Sequence, residues 1–297
     1  MTTNFEKVQL FNRAFDMVAK EPAKYDDCIG DENEPGRIIE ISPFIHFRPH
    51  LLTDEPKLIR LRLDLIKEEI GELNQAIEQN DIIETRDALA DILYVVYGMA
   101  DVLGINLKFN GFLDFIPRSF NTKGEISFKI METQQKYRTD TPPYITNFGW
   151  VRVFMDVCIQ EGEQGRNPSF LIAQINYFYS ELERICLLPA ICPDDHDAIY
   201  KLLRDIARYV YMYCHIKEIN ADADFAIVHD SNMSKLCDTE SDAIATVADY
   251  KEKYKAGISP YDTPYYYLLP ELGKWIVKNK NTGKALKNIK YHKVQFV

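Results

Sequence analysis

The fold of this chain is decided by two acidic segments, Lys67-Glu68-Glu69-Ile70-Gly71-Glu72-Leu73 and Arg86-Asp87-Ala88-Leu89-Ala90-Asp91-Ile92-Leu93-Tyr94. Both lie in sequence that strongly favours helix. Residues three or four apart share one face of a helix. Glu69 therefore shares a face with Glu72, as Glu68 does with Glu72 and Asp87 with Asp91. The two segments predict two helices that each present a group of carboxylates.

Apolar residues surround both acidic groups. They are Leu65, Ile66, Ile70 and Leu73 in the first segment and Leu89, Ile92, Leu93 and Val96 in the second. Carboxylates in a packing face are costly unless something neutralises them. If the two helices pack antiparallel, four or five acids converge, and hard oxygen ligands suit Mg²⁺ or Mn²⁺. The alternative is an amphipathic helix with solvent-facing glutamates, although the apolar run from Ile92 to Val96 leaves little room for a solvated face.

The order EExxE, a short spacer and an acidic motif on the next helix resembles the all-α nucleotide pyrophosphohydrolases. These form the MazG-like and phosphoribosyl-ATP pyrophosphohydrolase-like group, and the string from Asp91 to Gly98 resembles the second helix of its phage-type members. The resemblance implies metal ligands at Glu69, Glu72 and Asp91. The family's glutamate three residues before the aspartate falls on Ala88, and Asp87, one position earlier, could take its place as a ligand.

The resemblance also implies an activity. Members of this kind hydrolyse a nucleoside triphosphate, ribo or deoxy, to the monophosphate and pyrophosphate. The expected cofactor is Mg²⁺, for which Mn²⁺ could substitute, and the expected catalytic residues are Glu68 and Glu69, one of which would orient or deprotonate the attacking water. The implied role is housekeeping of the nucleotide pool. A non-catalytic nucleotide-binding or scaffold protein derived from the same fold remains the alternative.

Weak internal similarity predicts two diverged copies of one helical unit. The first would span residues 1–140 and carry the metal site, and the second would span residues 141–297. In the second copy, Arg208 falls opposite Asp91, and Tyr177 and Phe178 fall where the first copy has two glutamates. An arginine cannot bind a cation, so the second copy is expected to be degenerate.

We therefore predict an all-α core formed by an intramolecular pseudo-dimer of the two repeats. Their long helices would build a four-helix-bundle-like core. A small β-hairpin is expected near the C-terminus, with Lys274–Lys278 pairing with Ala285–Ile289 around a turn at Gly283.

A second motif suits phosphate. His229-Asp230-Ser231-Asn232-Met233-Ser234-Lys235 is expected to form a loop after the last bundle helix, and it resembles a loop of the phage-type enzymes. Asn232 and Lys235 would then bind the substrate phosphates. A looser version, with Asn121 and Lys123, occurs in the first copy. The alternative is an ordinary polar turn that caps a helix.

Composition limits the other function classes. The 297 residues carry a formal net charge of −10, which argues against a nucleic acid polymer or an anionic membrane as partner. No signal region or membrane-length apolar run is present, and the six cysteines form no CxxC pair. We expect a cytoplasmic protein whose partner is the nucleoside triphosphate. Whether the pseudo-dimer associates further into a homodimer is left open.

Overall fold

The computed structural model describes residues 3–15, 47–107 and 167–296 of the chain, and these residues are mostly helical. The helices are α1 (Asn4–Ala14), α2 (His50–Asp54), α3 (Pro56–Glu78), α4 (Ile82–Leu103), α5 (Pro168–Cys186), α6 (Pro193–Ile216), α7 (Ala221–Met233) and α8 (Glu240–Lys255). Strands β1 (Pro264–Leu269) and β2 (Lys274–Asn279) form a two-stranded antiparallel sheet. The predicted fold class, an all-α core with a small C-terminal hairpin, is confirmed.

Helices α3 and α4 form the first helical hairpin. Apolar residues of α3 recur every three or four positions, which aligns them on one buried face: Ile59, Leu63, Ile66, Ile70 and Leu73. Asp81 begins α4, because its carboxylate accepts hydrogen bonds from the backbone N–H groups of Ile83 and Glu84. Gly104, with φ of 70°, ends α4 in the left-handed conformation that glycine adopts without strain.

Helices α5 and α6 form a second hairpin with the same design. Their buried apolar residues also recur every three or four positions, as at Leu171, Ile175, Tyr179 and Leu182 in α5 and at Ile199, Leu203, Ile206 and Val210 in α6. The two hairpins lie side by side, since α3 contacts α5 and α4 contacts α6. In the interior, the hydroxyl groups of Tyr97 and Tyr211 are hydrogen-bonded at 2.9 Å. The four long helices therefore pack as a bundle.

Helix α4 is the centre of the described structure. It contacts α1 and α7 as well as α3 and α6. Contact on several sides explains why its sequence is apolar over most of its surface, with a single long run of buried residues. Its attachment to α7 includes an ion pair, in which the Arg86 guanidinium donates to both carboxylate oxygens of Asp224 at 2.9 and 2.7 Å. Asp224 is buried, so this pair anchors α7 beside the acidic part of α4.

The predicted loop from His229 to Lys235 is wrong for most of its length. Residues 229–233 are the last turns of α7, and only Ser234 and Lys235 follow the helix. Asn220 caps the start of α7, and Phe225 and Val228 pack into the core. These apolar contacts extend the helix through the serine and asparagine that suggested a loop.

The predicted partner of the second hairpin strand is also wrong. Lys274–Lys278 does lie in a strand, β2, but β2 pairs with the preceding segment Pro264–Leu269. Ala285 makes an isolated bridge to Lys278 and begins no strand. Three consecutive tyrosines give β1 high strand propensity, and Gly273, with φ of 60°, allows the tight connection to β2. The hairpin packs on α8 around a small apolar cluster that includes Val247 and Val277.

Part of the sequence interpretation lies outside the described residues. This holds for Asn121 and Lys123 and for the expected boundary between the two repeats. The division into repeats 1–140 and 141–297 stays a prediction. Among the helices that the structure describes, none has both the length and the apolar character needed to cross a bilayer.

Replacing Asp224 with alanine should strongly destabilise the protein. The change removes the buried carboxylate from the pair with Arg86, and removal of one member of a buried pair costs about 3–5 kcal/mol. Since Arg86 retains some solvent contact, we expect a loss of about 3 kcal/mol in the free energy of unfolding, measured by urea denaturation.

Asp249→Ala is the matched control. Asp249 pairs with Lys253 at 2.6 Å on the outer side of α8, where both side chains are well solvated. Such pairs contribute less than about 1 kcal/mol. Equal losses in the two variants would contradict the anchoring role of the pair between α4 and α7.

Candidate functional site

The two helices of the first hairpin bring the predicted acids together. Glu69 interacts electrostatically with carboxylates on its own helix, Glu68 and Glu72, and with carboxylates on α4, Asp87 and Asp91. Glu68 and Glu72 are exposed, whereas the other three are partly buried. The site is therefore an acidic cluster at the surface where α3 meets α4. We use the term acidic cluster for these five residues together with Glu84, which is described below.

Of the acids in this cluster, Glu69 has its pKa raised to the highest value. Burial, followed by the charges of Asp91, Glu72, Glu68 and Asp87, raises the pKa of Glu69 to about 8. Burial and the neighbouring Glu68 also raise the pKa of Glu72. A carboxylate surrounded by other carboxylates gains a proton, because the charged form is poorly solvated and repelled. Without a cation, the cluster therefore holds protons near neutral pH.

Asp87 is the residue that could replace the family's glutamate, whose position holds Ala88 in this chain. Burial raises its pKa to about 6, with further contributions from Glu84, Glu72 and Asp224. Its Oδ1 atom is buried and has no hydrogen-bond partner. Ala88, at the position of the family's glutamate, is only 2 % exposed and packs into the core. Asp87, and not residue 88, thus supplies the acid at this level of α4.

Glu84 belongs to the cluster and was missed by the sequence analysis. Its charge raises the pKa of both Glu72 and Asp87. The signal was present in the sequence, because Glu84, Asp87 and Asp91 are spaced by three and four residues, which aligns them on one helix face.

Asp91 connects the acids to a basic group. Burial and the charge of Asp87 raise the pKa of Asp91 to about 7, while the charge of Lys235 lowers it. The Lys235 ammonium donates to the Asn232 Oδ1 atom at 2.6 Å and lies 5.7 Å from the centroid of the Phe11 ring. The structure thus brings Asn232 and Lys235, far away in sequence, to the edge of the acidic cluster. Their role as phosphate ligands stays a prediction.

Aromatic side chains line the side of α4 next to this edge. The Tyr94 ring stacks on Phe225 with centroids 5.4 Å apart and meets Phe11 edge-on at 5.2 Å. The Tyr94 hydroxyl and His229 Nδ1 are hydrogen-bonded at 3.2 Å. Burial lowers the pKa of His229 to about 4, so its ring is neutral at neutral pH. These contacts hold α1, α4 and α7 together beside Asp91.

The oxygen atoms of the acidic cluster are of the kind that bind a hard divalent cation. All of its members are carboxylates, and one of them has a buried oxygen without a hydrogen-bond partner. In residues 3–15, 47–107 and 167–296, however, no three His, Cys, Asp or Glu side chains are placed so that they could hold a metal ion together. The acids are gathered at one place but do not surround a common point.

The second hairpin carries different residues at the positions expected to correspond. Arg208 and Arg204 both pair with Asp205, at 3.6 and 3.3 Å. The Phe178 ring packs edge-on against Tyr209 at 5.2 Å. The described part of α5 and α6 therefore has mixed charges and aromatic contacts there, in contrast to the acidic cluster of α3 and α4.

Comparison with known proteins agrees with this geometry. Residues 38–110, which include both acidic helices, match the sequence model of the family described as phosphoribosyl-ATP pyrophosphohydrolase. The chain belongs to the all-α nucleotide pyrophosphohydrolase superfamily. A relative over most of the chain is the uncharacterized protein L479 of Acanthamoeba polyphaga mimivirus, which is 30% identical over 250 residues, or 84% of this chain and 85% of that protein. No solved structure matches the chain significantly.

The metal-free protein should become less stable as the pH rises. Glu69 has a pKa of 4.5 when unperturbed and about 8 in the folded protein, so the folded state keeps a proton that the unfolded state has lost. The resulting stabilisation is complete below the lower pKa and is lost as pH rises towards the higher one. We expect the free energy of unfolding, measured in urea with a chelator present, to fall between about pH 5 and pH 8.

The variant Glu69→Gln should flatten this pH dependence, because its amide does not titrate. Glu78→Gln, an exposed change at the end of the same helix, should retain the wild-type slope. If Glu69→Gln and wild type had the same slope, the acids would not be mutually repelling.

Proposed function

We propose that this protein is a Mg²⁺-dependent pyrophosphohydrolase that converts a nucleoside triphosphate, ribo or deoxy, to the monophosphate and pyrophosphate. The observation that carries this proposal is the acidic cluster formed by α3 and α4 within the region that matches the family. Carboxylates that raise one another's pKa repel one another, so their presence side by side is not explained by packing. A cation would lower the pKa of every one of them, and it would relieve the repulsion.

Glu69, Glu72, Asp87 and Asp91 are the proposed metal ligands. Mg²⁺, when bound, would offset the charge of the phosphate oxygens and make the attacking water more acidic. The exposed side chains of Glu68 and Glu72 can turn towards a cation without disturbing the core. The buried Oδ1 atom of Asp87 has no hydrogen-bond partner and is available as a ligand for the metal ion.

The chain's own groups account for the remaining requirements of hydrolysis. Water attacks the α-phosphorus, and the bond from that phosphorus to the oxygen bridging the β-phosphorus breaks. Glu68 or Glu69 accepts the proton of the attacking water. Asn232 and Lys235, at the edge of the cluster next to Asp91, would bind the departing pyrophosphate.

A non-catalytic nucleotide-binding protein is the second candidate. The buried Ala88, at the position of an expected glutamate ligand, favours this candidate, as does the absence of an acidic cluster from the described part of α5 and α6. This candidate predicts nucleotide binding without any release of pyrophosphate.

The proposal is tested by incubating the protein with Mg²⁺ and each common ribonucleoside and deoxyribonucleoside triphosphate in ¹⁸O-labelled water. We expect equal amounts of monophosphate and pyrophosphate, with the label in the monophosphate, because water attacks the α-phosphorus. Release of orthophosphate and diphosphate would place the attack at the γ-phosphorus. The absence of all products across the panel would favour the non-catalytic candidate.

Glu72→Gln and Asp91→Asn should each reduce the turnover at least about a hundredfold, since each removes a proposed ligand of the cation that stabilises the transition state. Their helical circular dichroism should remain, because removing one acid relieves repulsion. Glu78→Gln, on the same helix but outside the cluster, should retain full activity. Activity above about a tenth of wild type in both cluster variants would contradict the assignment of these ligands.

A further inference from the structure

The segment that follows β2 returns to the end of α7, next to Lys235, which follows the helix. The Asn288 side chain, which is buried, donates to the backbone carbonyl of Leu236 at 2.9 Å. Ser231 Oγ donates to the backbone carbonyl of His292, also at 2.9 Å. The His292 ring in turn contacts the Asp230 carboxylate at 3.1 Å. Residues 288–292 are thus fixed along the last turns of α7.

This path brings two further lysines to Lys235. The Lys287 ammonium lies 4.5 Å from the centroid of the Tyr291 ring, and the Lys284 ammonium lies 5.6 Å from that of Tyr261. Burial lowers the pKa of Lys235, and the positive charges of Lys287 and Lys284 lower it further, against the effect of Asp91. Three ammonium groups from two distant parts of the chain therefore share one region.

The charge of the Asp91 carboxylate acts on Lys235, against three ammonium groups in this region. Over the ranges that the structure describes, Lys235, Lys284 and Lys287 form no ion pair with a carboxylate, in contrast to Lys290, which pairs with Asp242 at 2.7 Å. Like charges held close together repel one another, and an anion bound among them would relieve the repulsion. The region therefore has the chemistry of a site for a polyanion.

The charges also have an order. The charge of Lys235 acts on Asp91, and the charges of Lys287 and Lys284 act on Lys235. The hydrogen bond from Asn288 to the Leu236 carbonyl holds the residue after Lys287 beside the residue after Lys235. A bound chain of phosphates with its α-phosphate at the acidic cluster would extend past Lys235 towards the C-terminal segment. A nucleoside triphosphate carries about four negative charges near neutral pH, and most of them lie on the β- and γ-phosphates.

We propose that Lys287, assisted by Lys284, binds the terminal phosphates of the substrate and makes the site selective for triphosphates over diphosphates. This inference rests on the proposed function, because it places the α-phosphate at the acidic cluster. The C-terminal segment would thus complete a site whose acids are supplied by α3 and α4. No local motif in the sequence indicates these lysines.

The test compares Lys287→Ala with Lys293→Ala. Lys293 is exposed in the same C-terminal segment, so both variants lose one positive charge from neighbouring positions. Calorimetric titration with inorganic tripolyphosphate and with pyrophosphate, in the presence of Mg²⁺, measures binding without requiring hydrolysis or knowledge of the base. We expect Lys287→Ala to bind both about tenfold more weakly and Lys293→Ala to bind as wild type.

Kinetics on the nucleotide of the panel that wild type hydrolyses best test the selectivity. In Lys287→Ala, kcat/KM for the triphosphate should fall about tenfold, mainly through KM, while that for the corresponding diphosphate should change less than about twofold. Lys287→Arg, which retains the charge, should recover most of the loss. A melting temperature equal to that of wild type would exclude unfolding as the cause.

The two proposals fail in different ways. If wild type hydrolyses triphosphates and Lys287→Ala behaves as wild type in both assays, the inference about the C-terminal segment is wrong while the proposed function stands. If wild type hydrolyses nothing but binds tripolyphosphate through Lys287, the polyanion site stands while the hydrolytic function fails. An equal loss of binding in Lys293→Ala would show that binding depends only on the total positive charge of the segment, and the specific role of Lys287 would be wrong.

Discussion

The convergence of carboxylates between α3 and α4 is the constraint on which the rest of the structure depends. The apolar faces of the two helices fix their packing, and that packing brings Glu69 to Asp87 and Asp91 whether or not a cation is present. Burial, together with repulsion between the carboxylates, raises the pKa values of these three groups to about 8, 6 and 7. Keeping such a cluster costs the bundle stability, and the proposed cation site would explain why the cluster is kept.

The rest of the fold then acts as support for this site. The second hairpin covers the apolar side of the first, and Arg86 with Asp224 fixes α7 beside α4. Lys235, which follows α7, lies at the edge of the acidic cluster, and the segment after β2 brings Lys284 and Lys287 towards Lys235. The acidic cluster lies on the first hairpin, while the duplication with one degenerate copy, divided between residues 140 and 141, stays a prediction.

Sequence alone predicted the features that depend on local periodicity. The helical state of the two acidic segments and the face shared by Glu69 and Glu72 follow from residue spacing. The predicted partner of β2 was wrong, because local sequence does not determine which neighbouring segment a strand pairs with. The tyrosine-rich β1, which precedes β2, is its partner. The approach of Lys287 to Lys235 could not be predicted, since it depends on the path of the chain around α8. Glu84 was predictable from its spacing but was overlooked.

Melting temperatures with and without divalent metal test the central claim, that the acidic cluster is a cation site. A ligand that binds only the folded state stabilises it, by about 2.7 kcal/mol at a hundredfold excess over its Kd. At millimolar Mg²⁺ or Mn²⁺, the melting temperature of wild type and of Glu78→Gln should rise by several degrees, and that of Asp91→Asn should rise much less. An unchanged melting temperature in wild type, or an equal rise in all three proteins, would contradict the account.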